Sequence, residues 1–288
     1  FKQKTAYEIS LGLVGSEMCI RDRVSAVALA LLATNAFADG HCASGKTLEK
    51  GKFTIATGNP AYFPWVLDDA PESGQGFEAA VAYAVAEEMG FSKQDVVWVR
   101  SSFDEAIQPG VKNFDVNMQQ YSITAERDQV VDFSVPYYTA PMAVLVGSGA
   151  TDTSATIEAL KGLKWGAVGS TTAVQKIAST VVPDNAPLLY GDNADVNAAI
   201  TANQIDAAMF DLPTALFLSA VMIEGSKVIG QFPSSESDDA DQFGMLMEEG
   251  NPLKVCVDKA LNAISGNGIL ASIEAQWLQD TTGVPLIK

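Results

Sequence analysis

The 288-residue chain has little histidine, little cysteine and little positive charge. A single histidine, His41, removes most histidine-based chemistry, including Ser-His-Asp and Cys-His nucleophile systems and multi-histidine metal sites. The three cysteines, Cys19, Cys42 and Cys256, are far apart, and no CxxC pair exists, so neither a zinc knuckle nor a thioredoxin-like redox site is available. Eighteen basic residues stand against 35 acidic ones, a net charge of −17 that repels phosphate backbones and anionic lipid, so no nucleic-acid or lipid-surface partner is expected. No apolar run reaches the roughly 20 residues a membrane-spanning helix needs. No metal and no cofactor is called for. What remains is an ordinary globular balance, 48% hydrophobic and 18% charged, in a chain about two domains long.

The first 38 residues are expected to lie outside the fold. Val24–Ala33 (VSAVALALLA) is a short apolar run, and Ala36-Phe37-Ala38 has the small-x-small form of a signal-peptidase site. The reading is export through a cleaved signal peptide into a periplasm. Phe1–Arg23 does not suit a leader, since Glu8, Glu17 and Asp22 stand where positive charge belongs. The stretch AYEISLGLVGSEMCIRDR within it is similar to translated sequencing-adapter read-through. Gly40–Thr47 fits the P-loop letters, but an export signal precedes it and Gly51 follows closely, so no buried strand and long helix frame it.

Beyond that point strands and helices alternate. Lys52–Thr57, Asp95–Val99 and Phe114–Met118 read as strands, with a helix over Phe77–Met89 closed by Gly90 and a short helix over Asp104–Gln108. The pattern then repeats. Leu163–Val168, Leu188–Tyr190, Ile205–Phe210 and Lys227–Ile229 read as strands, with helices over Thr172–Thr180, Ala194–Ala202 and Pro213–Val221. Two closing helices cover Asn251–Ser265 and Gly268–Gln279. This spacing predicts two α/β blocks in tandem, divided near Val144–Thr151, with ligands expected beyond the carboxyl ends of strands.

Several motifs in this order carry a resemblance. Ser122-Ile-Thr-Ala-Glu-Arg127 is followed by Val131-Asp-Phe-Ser-Val-Pro-Tyr-Tyr138. Gly76-Phe77-Glu78, Trp98–Asp104, the Gly169–Thr172 turn, Ile205–Asp211 and Gly250-Asn251-Pro252 add to it. Together they resemble the polar amino-acid-binding proteins of ABC transporters, the periplasmic solute-binding proteins of family 3, from about Lys52 to Leu278. The resemblance implies an α/β two-lobed periplasmic-binding-protein fold. Each lobe would be a mostly parallel sheet flanked by helices, and two crossover hinge strands would join them. It implies lobe I over 46–142 plus 240–288 and lobe II over 143–239. It also implies a monomer that captures an amino acid between closing lobes and hands it to an ABC importer permease in the membrane.

The same resemblance assigns site residues. Arg127 would fork onto the ligand carboxylate, which a lysine cannot do. Thr171 and Thr172, opening a helix, would meet the carboxylate from lobe II. Asp211 would pair with the ammonium, although a plain helix cap before Pro213 is the bland reading. Ser122 and the Gln120 carbonyl would supply further acceptors, and Gln119 and Gln120 depart from the small residues common there. Tyr62 and Phe103 would wall the pocket, with Trp65 packed beneath. Asn59 stands where members that bind basic amino acids tend to place an aspartate, and no second cation is evident, so a neutral amino acid is favoured. Two alternatives stay open: a dehydratase-like enzyme acting on arogenate or prephenate, with Glu78 the carboxylate available as acid, or a soluble amino-acid sensor subunit. In the two-lobe fold Cys42 and Cys256 belong to one lobe, and a disulfide between them is expected in an oxidising compartment.

Overall fold

The computed structural model describes residues 42–232, 241–278 and 283–288. The expected export signal over 1–38, the read-through stretch within it and His41 lie outside the described residues. Among the described residues no helix is long and apolar enough to cross a membrane.

The first lobe is laid down as β1 (Phe53–Thr57), α1 (Phe77–Glu88), β2 (Val96–Arg100), α2 (Phe103–Ala106), β3 (Val116–Asn117) and β4 (Val131–Phe133). The chain crosses through β5 (Tyr138–Ala140). The second lobe follows as β6 (Met142–Val146), α3 (Ile157–Lys161), β7 (Trp165–Val168), α4 (Thr172–Lys176), β8 (Leu188–Tyr190), α5 (Asn193–Thr201), β9 (Ala207–Asp211), α6 (Leu212–Phe217) and β10 (Lys227–Gln231). The chain returns through β11 (Asp241–Phe243), which pairs antiparallel with β5, and ends the first lobe with β12 (Leu246–Glu248), α7 (Lys254–Gly266) and α8 (Ile269–Trp277).

Each lobe holds one five-stranded sheet, in the orders β2-β1-β3-β12-β4 and β10-β6-β9-β7-β8. In each, four strands run one way and one runs against them: β12 in the first and β6 in the second. The reversed strand is the one joined to the crossing ribbon. β6 reads Met-Ala-Val-Leu-Val and is buried throughout. Its Met142, Val144 and Val146 face a core shared with α3 and α4, while Ala143 and Leu145 face one shared with α5 and α6. An unbroken apolar run is what a strand covered on both faces requires.

The start of α1 fixes a loop of the cleft. The amides of Phe77 and Glu78, which have no partner within the helix, donate to the carbonyls of Pro64 (2.8 Å) and Trp65 (3.0 Å). Gly76 has φ 103°, and a Cβ there would sit 2.5 Å from the Trp65 carbonyl oxygen, so only glycine fits. On α7, Cys256, Val257, Ala260, Leu261 and Ile264 form the buried stripe of an amphipathic helix. Cys256 is bonded to Cys42, with Cα atoms 5.5 Å apart, so the segment before β1 is tied to α7.

One expected boundary is corrected. The stretch 240–288 was assigned wholly to lobe I, but its last residues belong to lobe II. Gln231 in β10 donates to the Pro285 carbonyl and accepts from Ile287 N, both at 2.9 Å, and Ile157 N donates to the Lys288 carbonyl at 2.8 Å. Ile287 is buried with Met142 and Phe232. The cause is that β10 is an edge strand, whose outer backbone groups need partners, and the chain end supplies them. Gly230 permits the approach, since a Cβ there would lie 2.7 Å from Ile287 Cγ1.

Candidate functional site

Between the two sheets lies a cavity of about 350 Å³. Its walls are the segments that follow the carboxyl ends of strands: Gly58–Tyr62 after β1, Ser101–Asp104 after β2, Gln119-Gln120 after β3, Thr171–Ala173 after β7, Gly191–Asn193 after β8, and Asp211 at the end of β9. Strand carboxyl ends are where open α/β sheets place ligands. The structure brings all nine candidate binding residues to this one cavity: Asn59, Tyr62, Phe103, Gln120, Ser122 and Arg127 from lobe I, and Thr171, Thr172 and Asp211 from lobe II.

Arg127 is buried at the lobe I wall. Its Nη1 donates to the Ser122 carbonyl and its Nη2 to the Ser170 carbonyl in lobe II, both at 2.8 Å. The guanidinium lies 5.4 Å from the centre of the Phe103 ring, which in turn stacks on Tyr121 at 4.5 Å. The aromatic pair holds the cation in place from below. Among the described cavity-lining residues Arg127 is the sole cation. The Ser122 hydroxyl meets Thr172 Oγ1 across the cleft at 3.3 Å. Thr171 is the residue before α4, but its hydroxyl turns back to the Val168 carbonyl (2.8 Å) instead of capping the helix amides.

Asp211 is both a helix cap and part of the cavity wall. Its Oδ1 accepts the Thr214 amide at 2.8 Å, capping α6, and the same side chain lines the cavity. Burial pushes its carboxyl up to about 6.

Glu78 was not among the candidate binding residues and proves central to the floor of the cavity. It is 1% exposed. Its carboxylate accepts from the Gln120 amide (2.8 Å), from Gln120 Nε2 (2.5 Å) and from the Tyr137 hydroxyl. Burial pushes it up to about 7 against those hydrogen bonds, and the nearby Asp211 charge adds to the rise. The double clasp on Gln120 holds that residue at φ 54°, so its backbone amide and side-chain amide serve Glu78. A signal existed in the sequence: Glu78 is the one charged residue in an otherwise apolar first turn (Phe-Glu-Ala-Ala). Gln119 is likewise engaged, with Nε2 on Asn117 Oδ1 (2.9 Å) and on the Tyr121 hydroxyl (3.0 Å).

Trp65 was expected beneath the site. It is 1% exposed, packed edge-on against Phe77, Tyr138 and Phe243. Its Nε1 donates to Thr214 Oγ1 in lobe II at 2.8 Å. Two more contacts bridge the cleft: the Ser170 hydroxyl to Asp104, and the Phe63 ring 5.0 Å from Phe217.

A family model for the bacterial extracellular solute-binding proteins, family 3, matches residues 54–280. The chain belongs to this family. The L-arginine-binding protein of Pseudomonas aeruginosa is 25% identical over 222 residues, covering 75% of this chain and 84% of that protein. The L-cystine-binding protein TcyJ of Escherichia coli is 28% identical over 261 residues, covering 88% of this chain and 92% of that protein. An ancestral arginine-binding protein solved with arginine superposes with a TM-score of 0.65 at 27% identity, covering 80% of this chain and 99% of that chain. Both of these relatives are named as binding proteins.

Proposed function

We propose that the protein captures an α-amino acid in the cleft and delivers it to an ABC importer permease, after export through a signal peptide ending at Ala38. One observation carries the reading. Arg127, a buried cation, and Asp211, a partly buried carboxylate, face the same cavity from opposite lobes. A zwitterion satisfies both, and either charge left unpaired there costs several kcal/mol. In this reading Arg127 takes the carboxylate with Ser122, Thr171 and Thr172, and Asp211 takes the ammonium. Phe103 and Tyr62 flank the stem, and Asn59 and Gln120 lie toward the side chain.

The side chain follows from charge. With Arg127 spent on the α-carboxylate, Glu78, Asp104 and Asp192 oppose an acidic side chain. The ground for excluding a basic side chain is Asn59 in place of an aspartate. These three carboxylates remove that ground for excluding a basic one, and two of the similar proteins bear arginine in their names. The test is thermal-shift screening against the twenty standard amino acids and cystine. A ligand at 100-fold its Kd adds about 2.7 kcal/mol, and no shift with any of them overturns the reading.

A further inference from the structure

We propose that Trp65 and Thr214 are positioning residues that couple capture of the ligand ammonium at Asp211 to closure of the two lobes. This rests on the role given to Asp211 above. Three observations lead to it.

The first is where Trp65 is fastened. Its carbonyl accepts the amides of Glu78 and Ala79, so the residue is bolted to the start of α1 in lobe I. Its indole touches Tyr138 on β5 and Phe243 on β11, the two strands on which the lobes must turn. The second is where its N–H goes. An indole N–H is a donor only. This one leaves its own lobe and donates at 2.8 Å to Thr214 Oγ1, 149 residues away, in a buried bond. The third is what Thr214 holds. Its amide donates to Asp211 Oδ1 at 2.8 Å. Thr214 therefore takes the lobe I indole N–H on its side chain and holds the Asp211 carboxylate with its backbone amide, so one residue ties the two together.

Closed, the indole bond fixes Thr214 and with it the amide donor on Asp211. Apart, Thr214 loses the indole, and its hold on Asp211 loosens. The ionised carboxylate that an ammonium needs is thus better held in the closed arrangement. By linkage, an ammonium on Asp211 then favours closure. Neither Trp65 nor Thr214 needs to touch the ammonium for this.

The test uses the full chain and four forms: wild type, Thr214→Val, Thr214→Ser and Trp65→Phe. Small-angle scattering is recorded without amino acid and with an equimolar mixture of the twenty standard L-amino acids and L-cystine. Calorimetry then uses the tightest binder in that mixture. We expect Thr214→Val to weaken binding about tenfold or more and to leave the protein with a larger radius in the mixture. Thr214→Ser, which keeps the hydroxyl, restores both, and melting without amino acid is unchanged. Trp65→Phe keeps an aromatic ring and follows Thr214→Val, which keeps the test open should Thr214→Val fold poorly. Wild-type affinity and radius in Thr214→Val and Trp65→Phe, or no rescue by serine, overturns the proposal. If wild type itself binds nothing in the mixture, the reading of the site fails first. The coupling is then judged on the radius without amino acid, where an unchanged Thr214→Val also overturns it.

Discussion

The Arg127 guanidinium donates to the carbonyl oxygen of Ser170 across the cleft at 2.8 Å. The same side chain donates to Ser122 within its own lobe, so one cation is shared between the two walls of the cavity. A planar fork can serve both carbonyls and still offer N–H groups to a carboxylate, which a single ammonium cannot.

We therefore expect Arg127→Lys to weaken amino-acid binding at least tenfold, about 1.4 kcal/mol, by titration calorimetry. Unchanged affinity would remove Arg127 from the site.

Binding should depend on pH through Asp211. Burial holds its carboxyl at about 6, and an ammonium beside it favours the ionised form and lowers it. Binding then releases a proton below that pH. Affinity should be highest above pH 7 and fall as pH drops through 6, by up to about tenfold per pH unit. Asp211→Asn should bind more weakly and lose that slope. A slope that survives in the variant points to Glu78.

Glu78 should act on stability with the opposite preference. Its folded-state value, about 7, lies above that of an unfolded glutamate. Its stabilising contribution is complete below the unfolded value and is lost as pH rises through 7. Between pH 5 and 8 the amino-acid-free wild type should therefore lose more melting temperature than Glu78→Gln, with each 1 kcal/mol worth about 2–4 °C. Parallel melting curves for the two would contradict this.

The Cys42–Cys256 bond closes a span of 214 residues. The chain-entropy treatment gives about 4–5 kcal/mol as the ceiling for a loop that long. Thiol titration of the denatured, unreduced full chain should find Cys19 alone, and reduction should lower the melting temperature. Three free thiols would show the bond absent.

Ending the chain at Gly283 removes the strand-like tail from β10. Burial of one isoleucine side chain is worth about 1.5–3 kcal/mol, and the loss should fall on lobe II. Hydrogen exchange should accelerate at the amides of Ile157 and Gln231, which donate to Lys288 and Pro285. Unchanged protection there would mean the tail does not hold.

Periodicity made most elements legible. Leu188–Tyr190 is a strand as read, and the helix expected over Phe77–Met89 is found at Phe77–Glu88. Periodicity does not mark Met142–Val146 as a strand, because a strand buried on both faces shows no alternation. The two helices expected over Thr172–Thr180 and Pro213–Val221 change partway into π-turns, at Ile177–Val181 and Leu218–Met222, which no residue pattern announces. The nine candidate binding residues that line the cavity came from the family resemblance, each on a loop after a strand or at a helix start. What local motifs do not carry is pairing at a distance. Trp65 with Thr214, Glu78 with Tyr137, and Gln231 with Ile287 are contacts between segments whose separate sequences look like ordinary core, helix start and tail.

The tail has a practical corollary. Cys42 is anchored to α7 in lobe I, whereas Lys288 is hydrogen-bonded to Ala155 and Ile157 in lobe II. A reporter joined ahead of Cys42 and another joined after Lys288 would ride on opposite lobes. Energy transfer between two such fusions would read opening and closing directly, with no insertion into either sheet. The route of the chain thus gives each lobe its own point of attachment for such a reporter.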